Sequence, residues 1–397
     1  MFTTAMIAAL SAADSGLAQC QYSVTQWAPW ACEWEGNHAY TGTGLNDLGA
    51  WCGYRLMCWP EEGEWWLPIY CPPGGMPQVL PMPPGASALG AKANAVNNDG
   101  VVVGFMYAGA SSQYQQGVIW WPDGSAELID PAPGSNNSRA NDINDAGVIV
   151  GSSAGMPYVL DQGVMTSISV APFTSGTAWR LAKSGSIAGF AGNENTTGRA
   201  FRWTAGTLTF LDPVPGYTAT IGYGVNSPGA VVGASRIVIS GQIYTYPTLW
   251  IDDAPIALPL LPGYSTGYAY CINDAGIIGG WIFGAGSQFP AKSVIWIDGE
   301  VQALADLLLP PSPSMGPPVA INVVGQILSG GGPRIASPTF ISPADLNGDC
   351  SIDGDDLGVL LASWGSPDFD PRSDFNGDGV VDGFDLGTLL GEWTPIK

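Results

Sequence analysis

The stretch Ile143-Asn144-Asp145-Ala146-Gly147-Val148-Ile149-Val150-Gly151 decides how this chain is read. An aliphatic residue is followed by Asn, a small or acidic residue, any residue, Gly, an aliphatic run and a second Gly. The phrase recurs at Leu45-Asn46-Asp47-Leu48-Gly49, Val96-Asn97-Asn98-Asp99-Gly100 and Val225-Asn226-Ser227-Pro228-Gly229. It returns at Ile272-Asn273-Asp274-Ala275-Gly276 and Ile321-Asn322-Val323-Val324-Gly325, with a degenerate copy at Leu181-Ala182-Lys183-Ser184-Gly185. The reference glycines 49, 100, 147, 185, 229, 276 and 325 are separated by 51, 47, 38, 44, 47 and 49 residues. Self-similarity at this period is the mark of a repeat architecture.

Each copy has the same grammar. A strand ends at Asn, the Asn side chain caps its own turn, and Gly supplies the positive φ the return needs. A second strand follows. A third carries an aromatic, as in Ala200-Phe201-Arg202-Trp203, Thr248-Leu249-Trp250 and Val294-Ile295-Trp296. A turn such as Asp298-Gly299 leads to a weaker fourth strand. Four short strands per repeat predict propeller blades. The expected fold is therefore mainly β, a seven-bladed β-propeller-like domain over residues 20–340.

The phrase Ile-Asn-Asp-x-Gly-x-Ile-Val-Gly followed by Ala-Phe-x-Trp resembles the HAF repeats of exported bacterial proteins. Residues 143–151, 199–203 and 272–280 match best, within a span of roughly 40–340. The resemblance implies a propeller-like fold and no particular activity.

The C-terminal segment has different chemistry. Between Ile341 and Lys397 stand 11 Asp and 1 Glu against Arg372 and Lys397, a net charge of −10. Two twelve-residue loops, starting at Asp345 and Asp374, repeat at an offset of 29 residues. The offset carries Leu357, Leu360, Leu361 and Trp364 onto Leu386, Leu389, Leu390 and Trp393. Calcium takes six to eight oxygens, and such a loop offers them from positions 1, 3, 5, 7, 9 and 12. In loop one these are Asp345, Asn347, Asp349, the Ser351 carbonyl, Asp353 and Asp356. In loop two they are Asp374, Asn376, Asp378, the Val380 carbonyl, Asp382 and Asp385. Position 6 wants Gly, which Gly379 satisfies and Cys350 does not. Leucines at helical spacing predict a helix after each loop.

Loop then helix, twice, with Asp at position 12, resembles a dockerin over residues 345–393. That resemblance implies a small α module at 342–397 with two EF-hand-type loops and two Ca2+ ions. It also implies docking onto a cohesin-like or other cell-surface protein. The residue types at loop positions 10 and 11, Gly354-Asp355 and Gly383-Phe384, depart from the Ser or Thr that dockerins commonly carry there.

Composition bounds the rest. With 12 Lys+Arg against 34 Asp+Glu among 397 residues, the net charge of −22 argues against nucleic acid and anionic membranes. No apolar run is long enough to span a bilayer. Phe2 to Ala13 followed by Ser15-Gly16-Leu17-Ala18 reads as a signal peptide over residues 1–19, hence a secreted or extracellular protein, attached at the cell surface if the tail docks. Five of the seven Cys lie between Cys20 and Cys71, which in an exported chain favours disulfides, whereas Cys271 reads as a buried strand thiol.

A catalytic centre is not legible. His38 is the only His, so neither a multi-His zinc site nor a Ser-His-Asp triad is indicated. The Asn-Asp pairs are turn chemistry before they are a cation or sugar site, and the third-strand Trp residues are inter-blade packing before they are a sugar platform. The aromatic-rich start, Trp27 to Trp66, leaves carbohydrate open as a ligand. The expectation is a non-enzymatic binding protein anchored through calcium. The alternative is a polysaccharide-degrading hydrolase or lyase on a propeller face, which would need two spatially paired carboxylates.

Overall fold

The computed structural model describes residues 21–27, 40–59, 63–109, 114–193, 197–284, 290–339, 342–347, 352–366 and 369–393. The expected signal peptide (1–19), Cys20, Trp30, Cys32, Trp34, His38 and the loop-one residues Asp349, Cys350 and Ser351 lie outside them. The chain divides into two compact units, one over Tyr22–Ser337 and one containing the residues from Pro338 onward. Among the described residues no helix is long and apolar enough to cross a membrane.

The larger unit is a β-propeller whose turns follow directly from the repeated phrase. At Asn144 the side-chain Oδ1 accepts from Val148 N–H at 3.0 Å, and Gly147 N–H donates to Asn144 O at 3.1 Å. Gly147 has φ +78°, the left-handed region that costs glycine nothing. The amide of the same asparagine type then reaches the neighbouring copy. Asn46 Nδ2 donates to Asn97 O at 2.9 Å, and Asn97 Nδ2 to Asn144 O at 3.2 Å. Asn226 Nδ2 donates to Asn273 O and Asn273 Nδ2 to Asn322 O, both at 3.1 Å. Asn322 Nδ2 closes the ring onto Asn46 O at 3.1 Å, 276 residues back in the chain. Where Ala182 replaces Asn the relay is interrupted. There Asp142 Oδ2 accepts from Leu181 N–H at 2.8 Å instead.

The expected seven separate blades are corrected by the strand pairing. Five four-stranded sheets stand as blades, over 138–167, 176–211, 219–257, 264–303 and the closing sheet of Pro318–Ile321, Ile327–Ser329, Arg334–Pro338 and Tyr22–Gln26. The two N-terminal copies instead merge into one eight-stranded sheet. The outermost strand of the first copy, Gln78–Val79, is only two residues long, so it leaves most of Gly63–Cys71 uncovered. The long strand Ala86–Val96 takes that edge through a parallel bridge between Trp66 and Gly90. Only glycine fits there, because a Cβ on Gly90 would stand 2.0 Å from Trp66 O.

Third-strand tryptophans fill the spaces between successive sheets, as their sequence positions predict. Trp120, Trp250 and Trp296 are each 1% exposed. Their indole N–H groups donate to Pro81 O, Asp212 O and Pro259 O at 2.7–2.8 Å, each 37–39 residues earlier in the chain. Each ring thus buries its face and satisfies its one donor.

The disulfide expectation is corrected for Cys52 and Cys71, which are buried free thiols, as is Cys271. Trp51 pairs across the strands with Cys71, so Cys52, one residue on, projects from the opposite face of the sheet. Burial pushes all three thiols up to about 12.

The relay makes a specific stability prediction. Asn273→Ala removes both a turn acceptor and the donor to Asn322, and is expected to cost about 2–4 kcal/mol. Asn144→Ala, which faces Ala182, is expected to lose its turn acceptor alone, about 1–2 kcal/mol. Chemical denaturation of the two variants measures the difference, and equal losses would contradict the relay.

Candidate functional site

Every innermost strand of the propeller carries a β-bulge at the same place, three residues before the phrase Asn or its Ala182 equivalent. The register shifts fall between Gly42 and Gly44, Ala93 and Ala95, Ala140 and Asp142, and Ala178 and Arg180. They recur between Gly222 and Gly224, Ala269 and Cys271, and Pro318 and Ala320. A bulge inserts one unpaired residue and re-aims its side chain. The inserted residues are Thr43, Asn94, Asn141, Trp179, Tyr223, Tyr270 and Val319, and all of them line one central cavity of about 300 Å³. The residue after each bulge lines an adjacent cavity of about 180 Å³. Most of these second residues are small (Gly44, Ala95, Gly224, Ala320); the exceptions are Cys271 and the charged Asp142 and Arg180.

The smaller cavity is bounded by the residues that follow the phrase asparagines. Asp47 N–H donates to Asn98 Oδ1 at 3.0 Å, and Asn98 N–H to Asp145 Oδ1 at 2.8 Å. Val323 N–H donates to Asp47 Oδ1 at 3.2 Å, and Lys183 Nζ meets Asp47 Oδ2 at 2.6 Å. The Asn-Asp pairs are therefore turn chemistry, as read from sequence, and they also knit neighbouring copies together. Asp142 accepts from Leu181 and Ile143 N–H. Burial raises its pKa, and Arg180 offsets part of that.

The larger cavity differs in chemistry. Thr43, Asn94 and Asn141 form a polar arc, and Trp179, Tyr223 and Tyr270 an aromatic one. Arg139 and Arg180 add positive charge, and among the described residues no Asp or Glu lines the cavity. Arg139 Cζ lies 4.4 Å from the Phe105 ring centre and 5.6 Å from that of Trp179. Lys92 Nζ sits 4.1 Å over Trp66 and 4.3 Å over Tyr54. Burial lowers the pKa of both cations, and for Lys92 the nearby Arg139 lowers it further.

In the C-terminal unit the two loops share their bonds to the position-12 aspartates and their helix caps. Leu346 N–H donates to Asp356 Oδ1 at 2.7 Å, and Phe375 N–H to Asp385 Oδ1 at 2.7 Å. Asp353 and Asp382 N–H donate to the second oxygens of the same acids, both at 2.9 Å. Asp353 and Asp382 are in turn the N-caps of helices α1 (Gly354–Ser363) and α2 (Gly383–Gly391). Loop positions 9 and 12 thus form a capping box for each predicted helix. In loop two Asp374 draws in the N–H groups of Gly377, Asp378 and Gly379 at 2.8–3.2 Å, and Asn376 Nδ2 donates to Asp378 Oδ2 at 2.9 Å. Gly379 takes φ +87°. Val380 is exposed, while Ile352 and Val381 at position 8 share one core with Leu346, Leu360 and Leu389. Of loop one, Asp345 and Asp356 are buried and Asn347 and Asp353 partly so. Among the described residues no three His, Cys, Asp or Glu side chains stand together as a ready cation cage.

Sequence reasoning found the loops and missed the central cavity. The bulge residues follow no shared residue type, so no motif exposes them. Superposing the copies on their asparagines and reading back three places would have collected them.

No protein-family model matches the chain. No curated protein matches it. Solved structures do. Virginiamycin B lyase from Staphylococcus aureus is 13% identical at a TM-score of 0.49, over 81% of this chain and 100% of that one. YCF48 bound to D1 peptide is 12% identical at 0.47, over 81% and 97%. A gluconolactonase from Xanthomonas campestris is 12% identical at 0.38, over 82% and 92%. At these values the fold stands on its own strand pairing, and no chemistry is carried across.

Asp142 predicts a pH signature. Its folded pKa lies above the unfolded value, so the folded state binds the proton more tightly. Its contribution to stability is complete below the ordinary carboxylate value and is lost as pH rises through the raised one. Denaturation of the wild type and Asp142→Asn between pH 4 and pH 7 should show the wild type gaining on the variant as pH falls. A pH-independent difference would contradict this environment.

Proposed function

We propose that this is a secreted binding protein, anchored through a calcium-dependent, dockerin-like tail, whose propeller holds a ligand in its central cavity. The observation that supports the anchoring half is the pair of equivalent bonds to the position-12 aspartate in each loop, with the capping box each one builds. Composition alone would not preserve such a correspondence.

The donor set fits calcium. It consists of carboxylate, amide and carbonyl oxygens, and lacks the nitrogen and sulfur ligands that softer metals prefer. Asp374, Asn376, Asp378, Val380 O, Asp382 and Asp385 would hold one ion. Asp345, Asn347, Asp349, Ser351 O, Asp353 and Asp356 would hold the other. Bound calcium would supply positive charge against the net −10 of this segment. The chain's own part is to keep Asp356 and Asp385 fixed, which their burial and backbone donors do.

The docking half is supported by what the helices leave outside. Leu361 and Leu390, equivalent under the 29-residue offset, are 52% and 51% exposed, and Phe384 is 75% exposed. A cohesin-like or other surface protein would cover them. For the propeller, the binding reading rests on the larger cavity, where no carboxylate stands among the described lining residues; polysaccharide cleavage would need a facing pair, for which Asp47, Asp142 and Asp145 of the smaller cavity are the candidates.

Calorimetric titration of the full chain with calcium should show two binding events, and Asp378→Ala should leave one. No binding would overturn the anchoring half. Leu361→Asp with Leu390→Asp should keep both ions yet abolish retention on the native surface. Unchanged retention would overturn docking through the helices.

A further inference from the structure

Among the described residues, three buried polar atoms of side chains that line the larger cavity have no hydrogen-bond partner. They are Arg139 Nε, Trp179 Nε1 and Asn141 Oδ1. Asn141 is 2% exposed, and its amide is already used, donating to Ala178 O at 2.7 Å. A buried group left without a partner is unfavourable, so native proteins seldom keep several together. Here three belong to residues that line one cavity, on two neighbouring innermost strands.

The charge is equally pointed. The chain has 34 acidic and 12 basic side chains, yet among the described residues no acid lines this cavity. Neither Arg139 nor Arg180 forms an ion pair among the described residues. Arg180 interacts with Asp142, whereas the groups that act on Arg139 are Tyr107, Tyr54 and Arg180, so Arg139 is the cation left for an outside anion. Across the cavity the Tyr223 and Tyr270 rings stand 5.3 Å apart and inclined at 58°, and with Trp179 they give the cavity its aromatic side.

Together these groups describe a ligand. It needs an anion for Arg139, an acceptor for the Trp179 N–H, a hydroxyl that donates to Asn141 Oδ1, and a ring for the aromatic arc. A space of about 300 Å³ admits a molecule of one or two rings. We propose that the bulge-lined cavity binds a hydroxylated ring acid, a sugar carboxylate of the uronic acid type. The proposal rests on the binding reading of the propeller and names its ligand class.

The test uses the full-length protein, with calorimetry and tryptophan fluorescence, and sodium D-glucuronate, D-glucose and sodium benzoate as probes. Glucuronate should bind at least about tenfold more tightly than either of the others, with affinity falling as salt rises. Arg139→Gln should remove that preference over glucose. Trp179→Phe, which keeps an aromatic ring but loses the N–H together with the pyrrole ring that bears it, should weaken glucuronate several-fold without unfolding the blade. Equal binding of glucose would overturn the acid and leave a sugar-binding propeller. Equal binding of benzoate would overturn the need for hydroxyls. Binding of none of the three would overturn the proposal. A calcium titration on the same sample reports on the anchor separately, so the two halves fail independently.

Discussion

The propeller depends on a single side chain that bonds in two directions. At Asn97, Oδ1 accepts from Val101 N–H within its own turn and Nδ2 donates to Asn144 O in the next copy. Asparagine is suited to this because it carries both an acceptor and a donor on a short stem. Aspartate would have no donor, and glutamine would overshoot the turn. The same atoms thus shape each repeat and join it to its neighbour, so the strand ends meet at one level around the axis. Buried as they are, these amides would be expensive to leave unpaired.

Fixing that level has a consequence three residues upstream. The bulges occur at one height because the asparagines do. The bulged positions bear no part of the ladder, so their side chains are free to differ. Thr43, Asn94 and Asn141 on one arc and Trp179, Tyr223 and Tyr270 on the other show that freedom used asymmetrically. A symmetric scaffold therefore presents an asymmetric wall. The interruption at Ala182 falls where Asp142, Trp179 and Arg180 bring in the bulkiest and most charged side chains of that wall.

Much of this was legible in the residues. The phrase gave the repeats, the turns and the role of Gly147, since positive φ and an Asn cap leave a local signature. The third-strand tryptophans were correctly read as packing. The number of separate blades was not legible, because it turned on one bridge between Trp66 and Gly90 and on the shortness of Gln78–Val79. The thiols of Cys52 and Cys71 were misread because clustering in sequence says nothing about which face of a sheet each residue takes. The helix after each loop was legible from the leucine spacing, and both helices are present at Gly354–Ser363 and Gly383–Gly391. The double duty of the loop aspartates as helix caps was not foreseen, though Asp382 and Asp385 have the spacing for it. The cavity was hidden because its residues are gathered by register and share no chemistry.

The closing sheet draws its strands from both ends of the propeller sequence, Tyr22–Gln26 beside Arg334–Pro338. Leu309 N–H also reaches Tyr22 O at 2.8 Å. The earliest strand of the ring must therefore wait, unpaired, until the last has been made. Bringing together ends some 300 residues apart carries a loop-closure entropy that local hairpins do not bear. The individual hairpins can form while the chain is still growing, but the ring itself becomes a single object only after the final repeat is available.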